Sequence, residues 1–174
     1  MNDKVWILGP CSLEYEDRFF SILDRINSIM SPGDNWYMKA SFDKANRTSL
    51  HGGRGPGMDY ALDVWRESKK RYPNVLLTTD VHETNQVEKI ADPVDVIQIP
   101  AFLCRQTDLL VESARCSNIV NIKKGQWMNP QNMVKGIDKL KTTNPKCDVW
   151  VTERGSAFGY SQFVVDFSSV DFMK

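Results

Sequence analysis

The chain has 174 residues, 41% hydrophobic and 25% charged, with 22 basic and 22 acidic side chains. That length fits a single domain over residues 1–174. Zero net charge without a basic face argues against nucleic acid as a partner, and no apolar run approaches the length of a membrane span.

In chain order, strand and helix signals alternate. The N-terminal MNDKVWILGPC lacks the charged leader and long apolar core of a signal peptide. Residues 4–9, KVWILG, are a short apolar run ended by Gly-Pro and predict a strand. Phe19, Phe20, Leu23, Ile26, Ile29 and Met30 recur at helical spacing. Residues 36–42, WYMKASF, read as a strand, and residues 58–72 as a helix after a Gly-Pro-Gly turn. VLLTTDV (75–81) is a strand with a short helix after it, and DVIQIP (95–100) is a strand stopped by Pro100. Leu109, Leu110 and Ala114 mark a helix, NIVNIKK (118–124) a strand, 130–140 a helix and DVWVTER (148–154) a sixth strand. Residues 161–174 read as the start of a sixth helix. Such alternation predicts the α/β class, a parallel sheet with crossover helices. Cys11, Cys104, Cys116 and Cys147 are widely spaced without zinc-finger spacing, so they read as reduced thiols of a cytoplasmic protein.

The densest chemistry lies in KASFDKANRTS (39–49) and the HGGRGPG that follows. Lys39, Lys44, Arg47 and Arg54 fall within sixteen positions against one acid, Asp43. A positive focus in a neutral chain draws small anions. Ser41, Asn46, Thr48 and Ser49 add neutral hydrogen-bonding groups, a mixture suited to a phosphorylated sugar or acid. GGRGPG is no Walker A loop, since no Gly-Lys-Ser/Thr follows. By strand parity Lys39 and Ser41 share a face, as do Asn121 and Lys123, and as do Trp150, Thr152 and Arg154. Taken singly, each charged residue at a strand end is most simply a solvated surface group. A lone Cys11 is most simply a small hydrophobe.

KASFDKANRTS followed by RGPG resembles the 3-deoxy-D-manno-octulosonate 8-phosphate synthases, phosphoenolpyruvate-condensing enzymes on a (β/α)8 TIM barrel. GPCSLE (9–14), TDVHE (79–83), DVIQIPAFLCRQTDLL (95–110), NIKKGQW (121–127) and ERGSAFGY (153–160) match in the family's order and cover most of the chain. The related heptulosonate-7-phosphate synthases typically carry Lys-Pro-Arg-Thr where this chain has Lys-Ala-Asn-Arg-Thr at 44–48.

The resemblance implies condensation of phosphoenolpyruvate with D-arabinose 5-phosphate and water, a transferase step of lipopolysaccharide inner-core biosynthesis. Barrel enzymes place chemistry at the C-terminal ends of strands, and by that rule lysines and an arginine from three strands converge on one mouth. The resemblance assigns Lys123 and Arg154 to the phosphate of phosphoenolpyruvate, with Gln98 and the backbone of Ala101 nearby. Lys124, of opposite parity, ranks below Lys123. Lys39 and Lys44 go to the carboxylate and the reacting centre. Asn46, Arg47 and Thr48 go to arabinose 5-phosphate, with Thr48 where relatives often have Ser. Ser41 and Arg105 join the substrate-facing set, and Asp80 joins the catalytic one by orienting lysines or hydroxyls. His82 is read as a structural or substrate-orienting residue, and His51 as facing solvent. Because the loop that carries Asn46, Arg47 and Thr48 can serve a neighbouring subunit's site in the family, a homo-oligomer or a complementing fragment is implied.

Cys11 in GPCSLE resembles the metal-dependent class, whose other ligands are His, Glu and Asp on the seventh and eighth strands. A full barrel needs eight strands and typically ~250 residues, and six are legible here. The expectation is an incomplete barrel with unpaired edges at strands one and six, a divalent metal indicated by Cys11 but short of ligands, and poor turnover by the chain alone. Two rival readings stand beside this one. The first is an inactive or partner-dependent fragment that binds phosphoenolpyruvate or a sugar phosphate. The second is a 3-deoxy-heptulosonate-7-phosphate synthase using erythrose 4-phosphate.

Overall fold

Strand–helix alternation is what the backbone adopts in the computed structural model, which describes residues 4–160 and 162–174. The chain divides into two units, Met1–Thr79 with Asp92–Asp95 and Asp80–Ala91 with Val96–Lys174.

The first unit contains β1 (Val5–Ser12), α1 (Glu16–Ile29), β2 (Asn35–Ser41), α2 (Met58–Arg71) and most of β3 (Leu77–Asp80). β2 pairs in parallel with both β1 and β3. β1 outruns its predicted end at residue 9. The Leu8–Met38 pairing is followed by a register shift, and pairing resumes at Cys11–Ala40 and Ser12–Ser41. Gly-Pro is therefore absorbed as a bulge, a device that bends a strand and re-aims the side chains after it. Cys11 sits in that bend with φ 66°, left-handed for a residue other than glycine.

The α1 stripe Phe19, Phe20 and Leu23 is buried, as are Ala61, Leu62, Val64, Trp65 and Ser68 of α2. Phe42, just past β2, meets Trp65 edge-on at 6.3 Å. Burying one such side chain contributes roughly 1.5–3 kcal/mol. α1 begins without a side-chain cap of its own, and Tyr60 Oη accepts from the orphan N–H of Glu16 at 2.9 Å. Asp95 fastens the start of β3: its Oδ2 accepts from Leu77 N at 2.7 Å and from Lys69 Nζ at 2.6 Å.

The second unit contains α3 (Thr84–Ala91), β4 (Val96–Ile99), α4 (Thr107–Cys116), β5 (Ile119–Lys123), α5 (Met133–Thr143) and β6 (Asp148–Thr152). β5 pairs in parallel with both β4 and β6. All four residues of β4 are buried, as expected of a parallel strand covered on both faces. Leu110, Ala114, Ile122, Met133 and Leu140 fill the space between helices and sheet. Three parallel strands in each unit, alternating with helices, constitute an incomplete (β/α)8 TIM-barrel fold.

Two expectations need correction. A 3-10 turn, Pro130–Asn132, precedes α5, so the regular helix starts at Met133 and runs to Thr143. Of the helix expected over 161–174, the described part from Gln162 does not open as a helix. The segment from Ser156 folds as an antiparallel hairpin, β7 (Ser156–Phe158) with β8 (Gln162–Val164), and only Ser168–Asp171 is helical (α6). Residue 161 lies outside the described residues. Gly159, at φ 65°, turns the hairpin, and β-branched Val164 and Val165 favour extension over helix.

Candidate active site

In the first unit the cationic segment leaves the C-terminal end of β2, where parallel-barrel chemistry is placed. Lys39 and Ser41 face the same side, with Lys39 Nζ 3.5 Å from Ser41 Oγ. Lys44 folds back over the strand end. Its ammonium donates to Cys11 O at 2.7 Å and to Ser41 Oγ at 2.9 Å, and lies 3.2 Å from Cys11 Sγ. Three contacts match its three N–H donors. The bulge in β1 is what brings both the carbonyl and the sulfur of Cys11 to that nitrogen.

Beyond Lys44 the loop carries Asn46, Arg47 and Thr48 on its exposed side. Arg47 Nε donates to Gly53 O at 2.9 Å, and Lys44 N donates to Arg54 O at 2.6 Å. Arg54 forms a two-pronged pair with Asp43. The segment's one acid is therefore taken by Arg54, and Lys39, Lys44 and Arg47 carry its remaining positive charge. His51 is exposed in the same loop.

In the second unit a row of polar side chains crosses the strand ends. The register sets Gln98 beside Asn121, and Lys123 beside Thr152. Thr152 Oγ1 donates to Asn121 Oδ1 at 2.7 Å, and Gln98 and Asn121 are buried at 6% and 2% exposure. Buried polar groups at the end of a parallel sheet carry a desolvation cost unless they are bonded. Asp80 and His82 lie together, Oδ2 to Nε2 at 3.2 Å, each 11% exposed. His82 N donates to Gln86 Oε1 at 2.9 Å, which fixes the turn into α3. Ala101, buried, opens the 3-10 turn Ala101–Leu103. Arg105 is exposed beyond that turn, and its carbonyl accepts from Lys139 Nζ at 3.3 Å.

Lys123, half-buried, ends β5, while Lys124 has no exposed surface. Lys124 lies 3.5 Å from Glu153 Oε2 and donates to Gly125 O, Gly155 O and Ser156 Oγ at 3.2–3.3 Å. Arg154 lies two residues past the end of β6, exposed, with its guanidinium 5.5 Å from the centre of the Phe163 ring. Strand parity separates Lys123 from Lys124 but says nothing of Glu153, so reasoning from the sequence misses it. A lysine that goes under a sheet end needs a carboxylate beside it, and the acid at the next strand end is the available signal.

Cys11 is the residue the resemblance marks for a divalent metal. Among the described residues, no group of three or more His, Cys, Asp and Glu side chains is placed to hold one. The Lys44 ammonium lies beside its sulfur and would compete with a dication for it. The described residues thus do not compose a closed metal site.

The family model described as the DAHP synthetase I family matches residues 1–174. Three curated relatives carry the name 2-dehydro-3-deoxyphosphooctonate aldolase. The protein of Wolinella succinogenes is 45% identical over 181 residues, 98% of this chain and 68% of the relative. That of Helicobacter hepaticus is 45% identical over 177 residues, 95% of this chain and 65% of the relative. That of Campylobacter jejuni serotype O:23/36 is 41% identical over 185 residues, 100% of this chain and 68% of the relative. The chain spans about two thirds of the length of these relatives. On this match the chain belongs to the DAHP synthetase I family, with the 2-dehydro-3-deoxyphosphooctonate aldolases as its curated relatives.

Proposed function

We propose that the chain carries substrate-handling residues for the condensation of phosphoenolpyruvate with D-arabinose 5-phosphate and water. The products are 3-deoxy-D-manno-octulosonate 8-phosphate and inorganic phosphate, and the step belongs to lipopolysaccharide core biosynthesis. The observation that carries the reading is the shared name of relatives 40–45% identical over nearly the whole chain. The built anchor of Lys44 at the end of β2 supports it.

In this reaction carbon 3 of the enol attacks the aldehyde carbon and forms the C–C bond. Water adds at carbon 2, and the C–O bond to phosphate breaks as phosphate leaves. Two anionic reactants must be held in attack geometry, and fixed cations serve that purpose without reorganising. Of the first unit, we assign Lys39 and Lys44 to the carboxylate and the developing alkoxide. Asn46, Arg47 and Thr48 take the sugar phosphate, and Ser41 fixes Lys44. Of the second unit, we assign Lys123 and Arg154 to the phosphate of phosphoenolpyruvate, with Gln98 and the Ala101 backbone as neutral partners. The planar fork of Arg154 suits a phosphate. Arg105 adds a further phosphate-reading cation, and Asp80 orients groups through its pairing with His82. Lys124, being wholly buried, is assigned to support these groups rather than to touch substrate.

Among the described residues Cys11 is the ligand this chain offers for the divalent metal that part of the family uses. Metal content and the response of phosphate release to manganese test that role. Four free cysteines support a reducing, cytoplasmic setting, and light scattering tests self-association. The family description favours keeping the heptulosonate reaction as the second reading. Phosphate release with phosphoenolpyruvate plus arabinose 5-phosphate, set against erythrose 4-phosphate, separates the two. Preference for the four-carbon aldose overturns the octulosonate assignment. Phosphoenolpyruvate binding without turnover leaves a binding fragment.

A further inference from the structure

The stretch from the end of β6 into the hairpin is held by a network that none of the proposed substrate roles requires. Glu153 accepts from three directions: from Gly155 N at 2.5 Å on Oε1, and on Oε2 from Ser169 Oγ at 3.2 Å and from the Lys124 ammonium at 3.5 Å. Lys124 in turn donates to Gly155 O at 3.2 Å. The Gly155 residue is gripped on both sides, its N–H by the carboxylate and its carbonyl by the ammonium. Gly155 has φ +95°, which lets its N–H turn back to a side chain two positions earlier. Ser169 is 1% exposed, and its single hydroxyl proton is shared between Glu153 Oε2 and Asp166 O, the latter at 2.6 Å, so the start of α6 lies against the same carboxylate.

We propose that Glu153, charged against buried Lys124, is the positioning residue for Arg154. Arg154 is the residue between the two clamped ones. Its exposed side chain is met by the Phe163 ring of β8. Its backbone is fixed by the Glu153–Lys124 pincer. A largely buried ion pair, here with Lys124 at 0% and Glu153 at 10% side-chain exposure, is seldom the most stable choice for a core, since well-packed apolar residues often serve as well or better. What an apolar pair cannot do is hold the two polar ends of one glycine. The pair therefore sets the direction in which Arg154 leaves the sheet end. This rests on the assignment of Arg154 to the phosphate of phosphoenolpyruvate.

The test is a double-mutant cycle read by calorimetry of phosphoenolpyruvate binding. One arm is Lys124→Met with Glu153→Ala, changed together so that no charge is stranded; the other arm is Arg154→Ala. The expected result is a roughly tenfold loss of affinity from the clamp variant and no further loss when it is added to Arg154→Ala. Amide exchange at Gly155 should quicken in the clamp variant whether or not ligand is present. If Arg154→Ala alone leaves affinity unchanged, the phosphate assignment fails. If Arg154→Ala weakens binding but the clamp variant does not, or if the two losses add in full, the positioning role is overturned. Should the clamp variant not fold, Ser169→Ala removes one donor to Glu153 without stranding a charge and is carried through the same comparison.

Discussion

Replacing Gly55 by alanine tests whether the loop after β2 is a built element. An added Cβ would stand 2.5 Å from Phe42 O and 3.1 Å from Phe42 C, at φ +118°. The first distance is about 0.9 Å short of ordinary contact at 3.4 Å, and the obstacle is backbone, which cannot swing aside. Moving the loop by that amount breaks the bond from Gly57 N to Phe42 O, now 3.1 Å, a loss of about 0.5–1.5 kcal/mol. Forcing an L-residue into that φ costs about 1–3 kcal/mol more. The sum is about 1.5–4.5 kcal/mol. At about 2–4 °C per kcal/mol for a chain of this size, the melting temperature followed by circular dichroism should fall by about 3–18 °C. Affinity for arabinose 5-phosphate should fall more than affinity for phosphoenolpyruvate, because Asn46, Arg47 and Thr48 ride on this loop. Gly53, where an added methyl would meet nothing within 4 Å and φ is ordinary, is the control, and alanine there should be neutral or slightly stabilising. An unchanged melting temperature and unchanged sugar-phosphate affinity for Gly55→Ala would refute the reasoning.

Thiol labelling offers a second check. Burial pushes the thiols of Cys104, Cys116 and Cys147 up, whereas Cys11 is exposed beside the Lys44 ammonium. A disulfide reagent near neutral pH should reach Cys11 first, and phosphoenolpyruvate should slow it; first labelling at any other cysteine, identified by mass spectrometry, counts against the Cys11–Lys44 contact. The hydrogen bond of Tyr72 to Asp24 raises the phenol above its usual range. A raised folded value favours the protonated form, so the resulting stability is complete below the unfolded value of about 10 and is lost as pH rises through the folded one. Asp24→Asn should bring one tyrosine's ultraviolet titration back down, and an unmoved curve would contradict the bond. Asp95→Ala removes the acceptor shared by Leu77 N and Lys69; since both charged side chains are about one-third exposed, a loss of about 1–2 kcal/mol is expected from the denaturation midpoint. No shift would show that β3 does not depend on Asp95.

Much of the architecture was legible because its signals are local. Phe19, Phe20 and Leu23 recur at helical spacing, and helices bury one stripe. VIQI reads as a strand because it is short, apolar and stopped by Pro100. That Lys39 and Ser41 share a face, as do Asn121 and Lys123, followed from parity, a fixed property of the extended chain. Three things depended on contacts between distant residues. The bulge that carries β1 on to Ser12 depends on pairing with β2, which no window of β1 contains. The hairpin after β6 was hidden because three-residue strands have no measurable period. The roles of adjacent lysines diverged on tertiary grounds alone: Lys123 ends a strand with its side chain half-exposed, while Lys124 is buried against Glu153, 29 positions away in the numbering. Composition and spacing say which charges a chain possesses. Only the packed structure decides which of them meet a partner, because desolvation and pairing depend on distances that the sequence order does not encode.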